Sequence, residues 1–142
     1  MNHTWSPPLP RSDAPLLVRT WFNDTAAWED TRTACLIPTE EGFVADLEVL
    51  DHPGLREAPW QLLRQQGAHH GHPVLFIADH RTQLEPGHPV LVVSLHPDDQ
   101  PPTFRCPAAE LWSVENNLTL GNMDWEEFTG HTVDGVLRGF SG

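Results

Sequence analysis

Alternating apolar and polar positions predict several strands. Residues 43–50 alternate with a period of two, which is typical of a strand with one mostly hydrated face. Residues 74–78 and 90–95 are apolar without alternation and therefore predict strands that are covered on both faces. Residues 16–22 and 103–106 predict two further strands.

Helix signals separate these strands. Asn23 or Asp24 can cap a helix that runs to about residue 36. Pro59 suits the first turn of a second helix, and Gly67 is placed to close it in a left-handed cap. Pro107 can begin a third helix, which Gly121 ends, and its apolar stripe consists of Leu111, Val114 and Leu118. A short helix over about residues 124–128 and a turn at 134–135 precede a last apolar segment, 136–140.

The order of these elements predicts an α/β fold. The connection over residues 79–89 is short for a parallel crossover, so strands 74–78 and 90–95 should form an antiparallel pair. We therefore expect a single domain over residues 16–142, with a mixed central sheet of about five strands and helices packed on it. Residues 1–15 contain four prolines and predict an extended N-terminal arm.

The charge of the chain excludes some partners. Its 8 basic residues are all Arg, against 20 acidic residues, and the formal net charge is -12. No basic stripe exists that could neutralise phosphates, which argues against nucleic-acid binding and against adsorption to anionic membranes. No apolar run approaches the ~20 residues of a membrane-spanning helix, and the first residues do not resemble a secretory signal. We expect a soluble, cytoplasmic protein.

Motifs for covalent or cofactor chemistry are weak. Cys35 and Cys106 are too few for a disulfide framework and are expected to be free, buried thiols. Arg105 and a following helix could instead lower the pKa of the Cys106 thiol. The chain contains no G-x-S-x-G, G-x-x-x-x-G-K-[ST] or G-x-G-x-x-G motif, so we predict no cofactor.

Histidines cluster around the two central strands. An antiparallel pairing places His80 and His88 at one end and allows a metal cluster at the other end, formed by His69, His70, His72 and His96. Their spacing matches no established ligand motif, which favours a hydrated histidine loop instead.

The segment 110–128 combines tryptophans with acids and amides. Trp112 and Glu115 share one helix face, and Asn116 follows at the next turn. Aromatic residues with a polar rim are typical of a recognition surface. The predicted surface comprises Trp112, Glu115, Asn116, Asn122, Asp124, Trp125, Glu126 and Glu127. The alternative is structural: both tryptophans lie in the core, and Asp124 and Glu127 form a capping box.

The sequence resembles a family of small, uncharacterised bacterial proteins, found mainly in actinobacteria and described only as a domain of unknown function. The resemblance covers most of residues 9–140 and rests on four blocks: LVRTWFNDTAAW at 17–28, HPVLVVSL at 88–95, ELWSVENNLTLGNMDWEEF at 110–128 and DGVLRGF at 134–140. The HHGH stretch at 69–72 does not look like part of that pattern. The resemblance implies a bacterial cytoplasmic α/β domain and no assigned activity.

Two functions of different classes remain. The first is a non-enzymatic protein-binding module, inhibitor-like or immunity-like, whose negative field attracts a basic protein. Its candidate contacts lie in segment 110–128: Trp112, Glu115, Trp125, Glu126 and Glu127. The second is a small acid-base enzyme, for which the candidate groups are Asp79, His80, Glu115, Asn116 and Asp124.

Overall fold

A mixed seven-stranded sheet forms the centre of the molecule. The computed structural model describes residues 9–68 and 70–138. The strands are β1 (Leu16–Arg19), β2 (Glu48–Leu50), β3 (Val74–Ala78), β4 (Val90–Ser94), β5 (Thr103–Cys106), β6 (Thr132–Val133) and β7 (Val136–Leu137). They lie in the order β2-β1-β3-β4-β5-β7-β6. The predicted α/β fold with a mixed sheet is confirmed, but the strand count is larger than expected because a turn at 134–135 pairs two short strands.

Five α-helices occur in the described ranges and cover both faces of this sheet. They are α1 (Thr25–Leu36), α2 (Trp60–Gly67), α3 (His80–Leu84), α4 (Leu111–Thr119) and α5 (Trp125–Thr129). Short 3-10 turns precede α2 and α4, at Pro53–Leu55 and Ala108–Glu110. Side chains of α1, α4 and α5 form the core on one face, and those of α2 form the core on the other. The fold is therefore a three-layer sandwich.

The central strand pair is as predicted. β3 and β4 are antiparallel, with Val74 opposite Ser94 and Ile77 opposite Leu91. All residues of both strands are buried. Non-alternating apolar runs thus identified the strands that helices cover on both sides.

The predicted strand over residues 43–50 is mostly wrong, because only Glu48–Leu50 pairs with β1. The backbone before it bonds to α4 instead: the Asp46 amide donates to Glu115 Oε1, and the Val44 carbonyl accepts from Asn116. The alternating sequence pattern over residues 43–47 therefore belongs to an extended loop that packs on α4 and pairs with no neighbouring strand.

Two details of the helices also differ from expectation. Gly67 is not a left-handed cap: it is the last residue of α2, and Ala68 after it has right-handed φ and ψ of -59° and -24°. A Cβ on Gly67 would lie 3.4 Å from Leu95, so this glycine lies where α2 approaches the end of β4. The helix α3 was not predicted. The sequence feature that could have indicated this helix is Asp79, which forms a capping box with Thr82.

The segment before β1 contacts the domain. Leu9 is buried in the core beneath α2, and His72 Nε2 lies 2.8 Å from the Ser12 carbonyl oxygen. The arm boundary near residue 15 stays a prediction, since residues 1–8 lie outside the described ranges. The last predicted segment, 136–140, is described only as far as residue 138.

Candidate functional site

An exposed aromatic pair lies at the start of α4. The Trp112 ring is half-buried against the core and stacks on the Phe43 ring, with centroids 4.8 Å apart and planes 9° from parallel. Phe43 is 52% exposed, and the adjacent Val44 is exposed as well. Two stacked aromatics therefore present apolar area to solvent.

A tight loop places acidic side chains beside this pair. The Thr39 amide donates to the Phe43 carbonyl at 2.8 Å, and the Phe43 amide donates to Thr39 Oγ1 at 3.0 Å. Gly42, at a φ of +90°, makes the turn possible. Glu40 and Glu41 at its tip are both exposed, so they border Phe43 with negative charge.

Glu115 and Asn116 hold the loop on α4. Glu115 is only 3% exposed, and its Oε1 accepts the Asp46 amide at 2.7 Å. Asn116 Nδ2 donates to the Trp112 carbonyl at 2.6 Å and to the Val44 carbonyl at 3.3 Å. These two predicted contact residues therefore position the aromatic pair. We refer to Glu40, Glu41, Phe43, Val44 and Trp112 as the aromatic-acidic surface.

The other half of the predicted surface lies beyond the opposite end of α4. Trp125 is 5% exposed, its Nε1 donates to the Pro101 carbonyl at 2.7 Å, and its ring contacts Phe104. Trp125 is thus a core residue, as the structural alternative proposed. Asp124 and Glu127 form the capping box of α5, which that alternative also proposed.

The remaining polar residues of this half are exposed. Asn122 lies on the turn after α4, and Glu126 and Glu127 lie on α5. The segment 110–128 therefore does not form one continuous patch: its aromatic contact lies at the start of α4, and its exposed acids follow the end of that helix.

The histidines lie as the antiparallel pairing predicted. His72 and His96 line one shallow groove of about 490 Å³ at the amino end of β3, and His80 begins α3 at the carboxyl end. Among residues 9–68 and 70–138, no three His, Cys, Asp or Glu side chains come close enough to hold a metal ion. His69 lies outside the described residues, so the cluster with His70, His72 and His96 stays a prediction.

The predicted acid-base groups lie apart. Asp124 and Val74 line one groove, whereas Asp79 and His80 follow the opposite end of β3, about 17 Å of strand away. Glu115 lies in neither of these places, because its side chain accepts a hydrogen bond from the Asp46 amide beneath the loop. No described cleft joins these groups, and this separation weakens the enzyme hypothesis.

Asp79 has a structural partner instead. Its two carboxylate oxygens accept from Arg105 at 3.0 and 2.7 Å, and Oδ1 also accepts from the Thr82 amide at 3.1 Å. Burial alone would raise the pKa of Asp79, but the hydrogen bonds and charge of Arg105 lower it below 3.8. The carboxylate is therefore a poor proton carrier near neutral pH.

The surroundings of the two cysteines keep both thiols protonated and therefore unreactive. Both are free and buried, which confirms the prediction for these thiols. Burial raises the pKa of Cys35 to about 12 and that of Cys106 well above its usual value. Arg105 does not lower the pKa of the Cys106 thiol, because its guanidinium is directed to Asp79.

Phe43 and Val44 were missed as surface residues. The sequence pattern placed Phe43 on the same face of a predicted strand as Ala45 and Leu47. Because this face was expected to lie in the core, the exposure of Phe43 was not predicted. The available signal was the preceding Glu40-Glu41-Gly42, whose charges and turn residue favour an exposed loop.

Comparison with protein families identifies the chain at family level. A search among curated proteins gives no match. None of the helices in the described ranges is long and apolar enough to cross a membrane. The family model DUF6924, a domain of unknown function, matches residues 14–140, and the chain belongs to that family.

Proposed function

We propose that this domain is a non-enzymatic binding module for a basic protein, inhibitor-like or immunity-like, in the bacterial cytoplasm. The observation that carries the proposal is the exposed Phe43–Trp112 stack bordered by Glu40 and Glu41. Large aromatic rings that a scaffold holds in one orientation are frequent anchors of protein interfaces.

Rigidity supports this role. The stacking of Phe43 on Trp112, the Asp46–Glu115 bond and the Thr39–Phe43 bonds fix the loop before any partner arrives. A surface that is already ordered loses little conformational entropy on binding, so more of the contact energy is available for affinity.

Charge supports the choice of a basic partner. The formal net charge of -12 attracts cationic proteins over a distance set by the salt concentration, about 10 Å at 0.1 M. At close range, Glu40 and Glu41 lie where a Lys or Arg of the partner would meet the rim. A guanidinium could also contact the aromatic faces directly.

The experiment is capture of partners by the tagged protein at low salt, about 0.05 M, and at high salt, about 0.5 M. The proposal predicts a stoichiometric basic protein that is retained at low salt and lost at high salt. The same capture is repeated with Glu41→Lys and with Glu126→Lys, which change the net charge equally at different places.

The matched pair separates a local surface from a general charge effect. Both glutamates are exposed. Glu126 lies on α5, beyond the opposite end of α4 from the aromatic-acidic surface. We expect Glu41→Lys to reduce retention at least tenfold and Glu126→Lys to reduce it less than threefold, because rim charges act mainly on nearby partner groups. Equal losses, or no retained protein at low salt, would contradict the proposed surface.

A further inference from the structure

A groove lies between α2 and the part of the chain that follows β4. Its volume is about 450 Å³, within the range of about 300–1,000 Å³ that is usual for small-molecule sites. Its lining consists of Gln61, Arg64, Gln65, Ala68, Leu95 and Pro97. The aromatic-acidic surface shares none of these residues, so the groove is a separate place on the molecule.

The wall of the groove is one face of α2. Its four residues from this helix are spaced by three or four positions and therefore lie on one side of it. Leu63 and Gly67 of the same helix are buried, and a Cβ on Gly67 would lie 3.4 Å from Leu95. Contacts with the core thus hold the wall in place from the other side of the helix.

Part of the lining is apolar. Leu95 belongs to the core on the α2 side of the sheet and is 9% exposed where it meets the groove. Ala68 and Pro97 are exposed beside it. A hydrocarbon group that covers these side chains removes apolar surface from water, which favours binding.

Arg64 is held in one orientation at the groove. The side chain is half-buried, its Nε donates to the Ser94 carbonyl at 2.8 Å, and its Nη2 donates to the His96 carbonyl at 2.7 Å. A guanidinium carries five N–H donors, and these bonds use only two of them. No group in the described part of the chain accepts from Nη1. The edge formed by Nη1 and the second N–H of Nη2 is therefore available.

The charge of Arg64 has no carboxylate partner within the described ranges. Three other arginines do form ion pairs there: Arg19 with Asp51, Arg81 with Glu85, and Arg105 with Asp79. The two carbonyl oxygens that hold Arg64 are neutral and do not cancel its charge. Two parallel N–H groups on a fixed guanidinium match the two oxygens of a carboxylate.

The surrounding charges restrict the kind of anion that fits. The formal net charge of -12 repels anions, and so does the negative end of the α2 dipole. Both effects act more strongly on a dianion than on a monoanion. The groove therefore favours a monocarboxylate over a phosphate, and contact with the apolar lining must supply part of the affinity.

We propose that this groove binds a small monocarboxylic acid that has an apolar body. Arg64 pairs with the carboxylate, Leu95 and Pro97 contact the body, and the exposed amides of Gln61 and Gln65 border the ligand. This site is independent of the protein-binding proposal, because it uses none of the same residues.

The experiment follows ¹⁵N–¹H NMR signals of the wild-type protein, namely the Arg64 Nε–H and the Leu95 amide. Octanoate, acetate and octylammonium are titrated separately to about 20 mM at constant ionic strength, with chloride as the reference salt. We expect octanoate to shift both signals in a saturating manner, with a half-point on the order of 1 mM. Acetate lacks the apolar body and should need at least a tenfold higher concentration. Octylammonium has the opposite charge and should cause no saturating shift.

Variants test the assigned partner through the Leu95 amide. Arg64→Gln, which also assigns the Nε–H signal, should raise the octanoate half-point at least tenfold, because charge-assisted hydrogen bonds are the strong ones. Gln61→Glu adds a negative charge at the groove and should raise the half-point at least threefold. Thr33→Glu adds the same charge at an exposed position on α1 and should leave the half-point unchanged. If Arg64→Gln does not fold, the wild-type titrations and the other two variants decide the question.

Four outcomes would overturn the proposal. The first is an octanoate titration that does not saturate by about 20 mM, or shifts no larger than those caused by chloride. The second is an equal half-point for acetate, which would exclude a role of the apolar lining. The third is an equal half-point for octylammonium, or for octanoate with folded Arg64→Gln, which would exclude Arg64 as the partner. The fourth is an equal response of Gln61→Glu and Thr33→Glu, which would indicate a general charge effect.

Discussion

Replacing Asp79 by Ala should destabilise the fold more than any other single loss of a carboxylate described above. Asp79 caps α3 through the Thr82 amide, and loss of an N-cap costs about 1 kcal/mol. It also binds both Nη atoms of Arg105, whose side chain is only 13% exposed. Removing one partner of a buried ion pair costs about 3–5 kcal/mol. We take about 2 kcal/mol here because Asp79 is 28% exposed and Arg105 keeps the Pro89 carbonyl as an acceptor.

The expected loss is therefore about 3 kcal/mol in the free energy of unfolding. With about 2.1 cal/mol/K of unfolding entropy per residue, this lowers Tm by about 10 °C for 142 residues. Urea unfolding and calorimetry measure both quantities. The matched control is Glu85→Ala, which breaks the exposed ion pair with Arg81 and should leave Tm unchanged within error. Equal effects of the two substitutions would refute the structural role of Asp79.

The same residue predicts a pH dependence. Because the folded protein lowers the pKa of Asp79 below 3.8, the unfolded chain binds more protons in acid. The contribution to stability is thus complete above about pH 5 and is lost as the pH falls through the folded pKa. Asp79→Asn keeps a capping oxygen but lacks this contribution, so its stability should fall less steeply between about pH 5 and 2 than that of the wild type. Parallel curves would contradict the assignment.

Further predictions concern the thiols and two glycines. Cys35 and Cys106 should react with a disulfide reagent at pH 8 only after unfolding, because burial raises the pKa of both; fast reaction of the folded protein would contradict this. Gly121→Ala should cost about 1 kcal/mol because φ is +72° there, as urea unfolding can measure. Gly67→Ala should cost less than about 0.5 kcal/mol, because Gly67 lies within α2 and an added Cβ would meet Leu95 at an ordinary contact distance of 3.4 Å; a larger loss would show that α2 cannot accommodate a side chain there.

The sequence predicts the parts of the fold that local chemistry determines. Helix α1 begins where Asp24 can cap it, and the Asp24 side chain accepts the Ala27 amide at 2.9 Å. Strands β3 and β4 follow from uninterrupted apolar runs and from the short connection between them. In each case neighbouring residues carry the whole signal.

The errors come from contacts between distant residues. Residues 43–47 satisfy the alternation of a strand, yet the side chain of Glu115, 69 positions away, binds the Asp46 amide. That bond keeps the loop on α4 and exposes Phe43. The hydrophobic periodicity of a segment indicates that one of its sides is buried. It does not indicate which element of the fold covers that side.

The candidate site shows the same division. The spacing of Trp112, Glu115 and Asn116 correctly places them together on α4. Their roles differ because Glu115 is covered by the loop, whereas Trp112 is only half covered, by Phe43. The sequence could not separate Trp112 from Trp125, since both occur in similar amphipathic contexts. Contacts with the distant residues Pro101 and Phe104 place Trp125 in the core.

The most direct test of the protein-binding account compares the partner affinity of Phe43→Ser with that of Leu120→Ser, measured by calorimetry on the basic protein that the capture retains. Both residues are large, apolar and exposed, but Leu120 lies at the opposite end of α4. The account predicts that Phe43→Ser weakens the Kd at least tenfold, about 1.4 kcal/mol, and that Leu120→Ser changes it less than about twofold. Equal Kd values for the two variants would contradict the aromatic-acidic surface as the binding site.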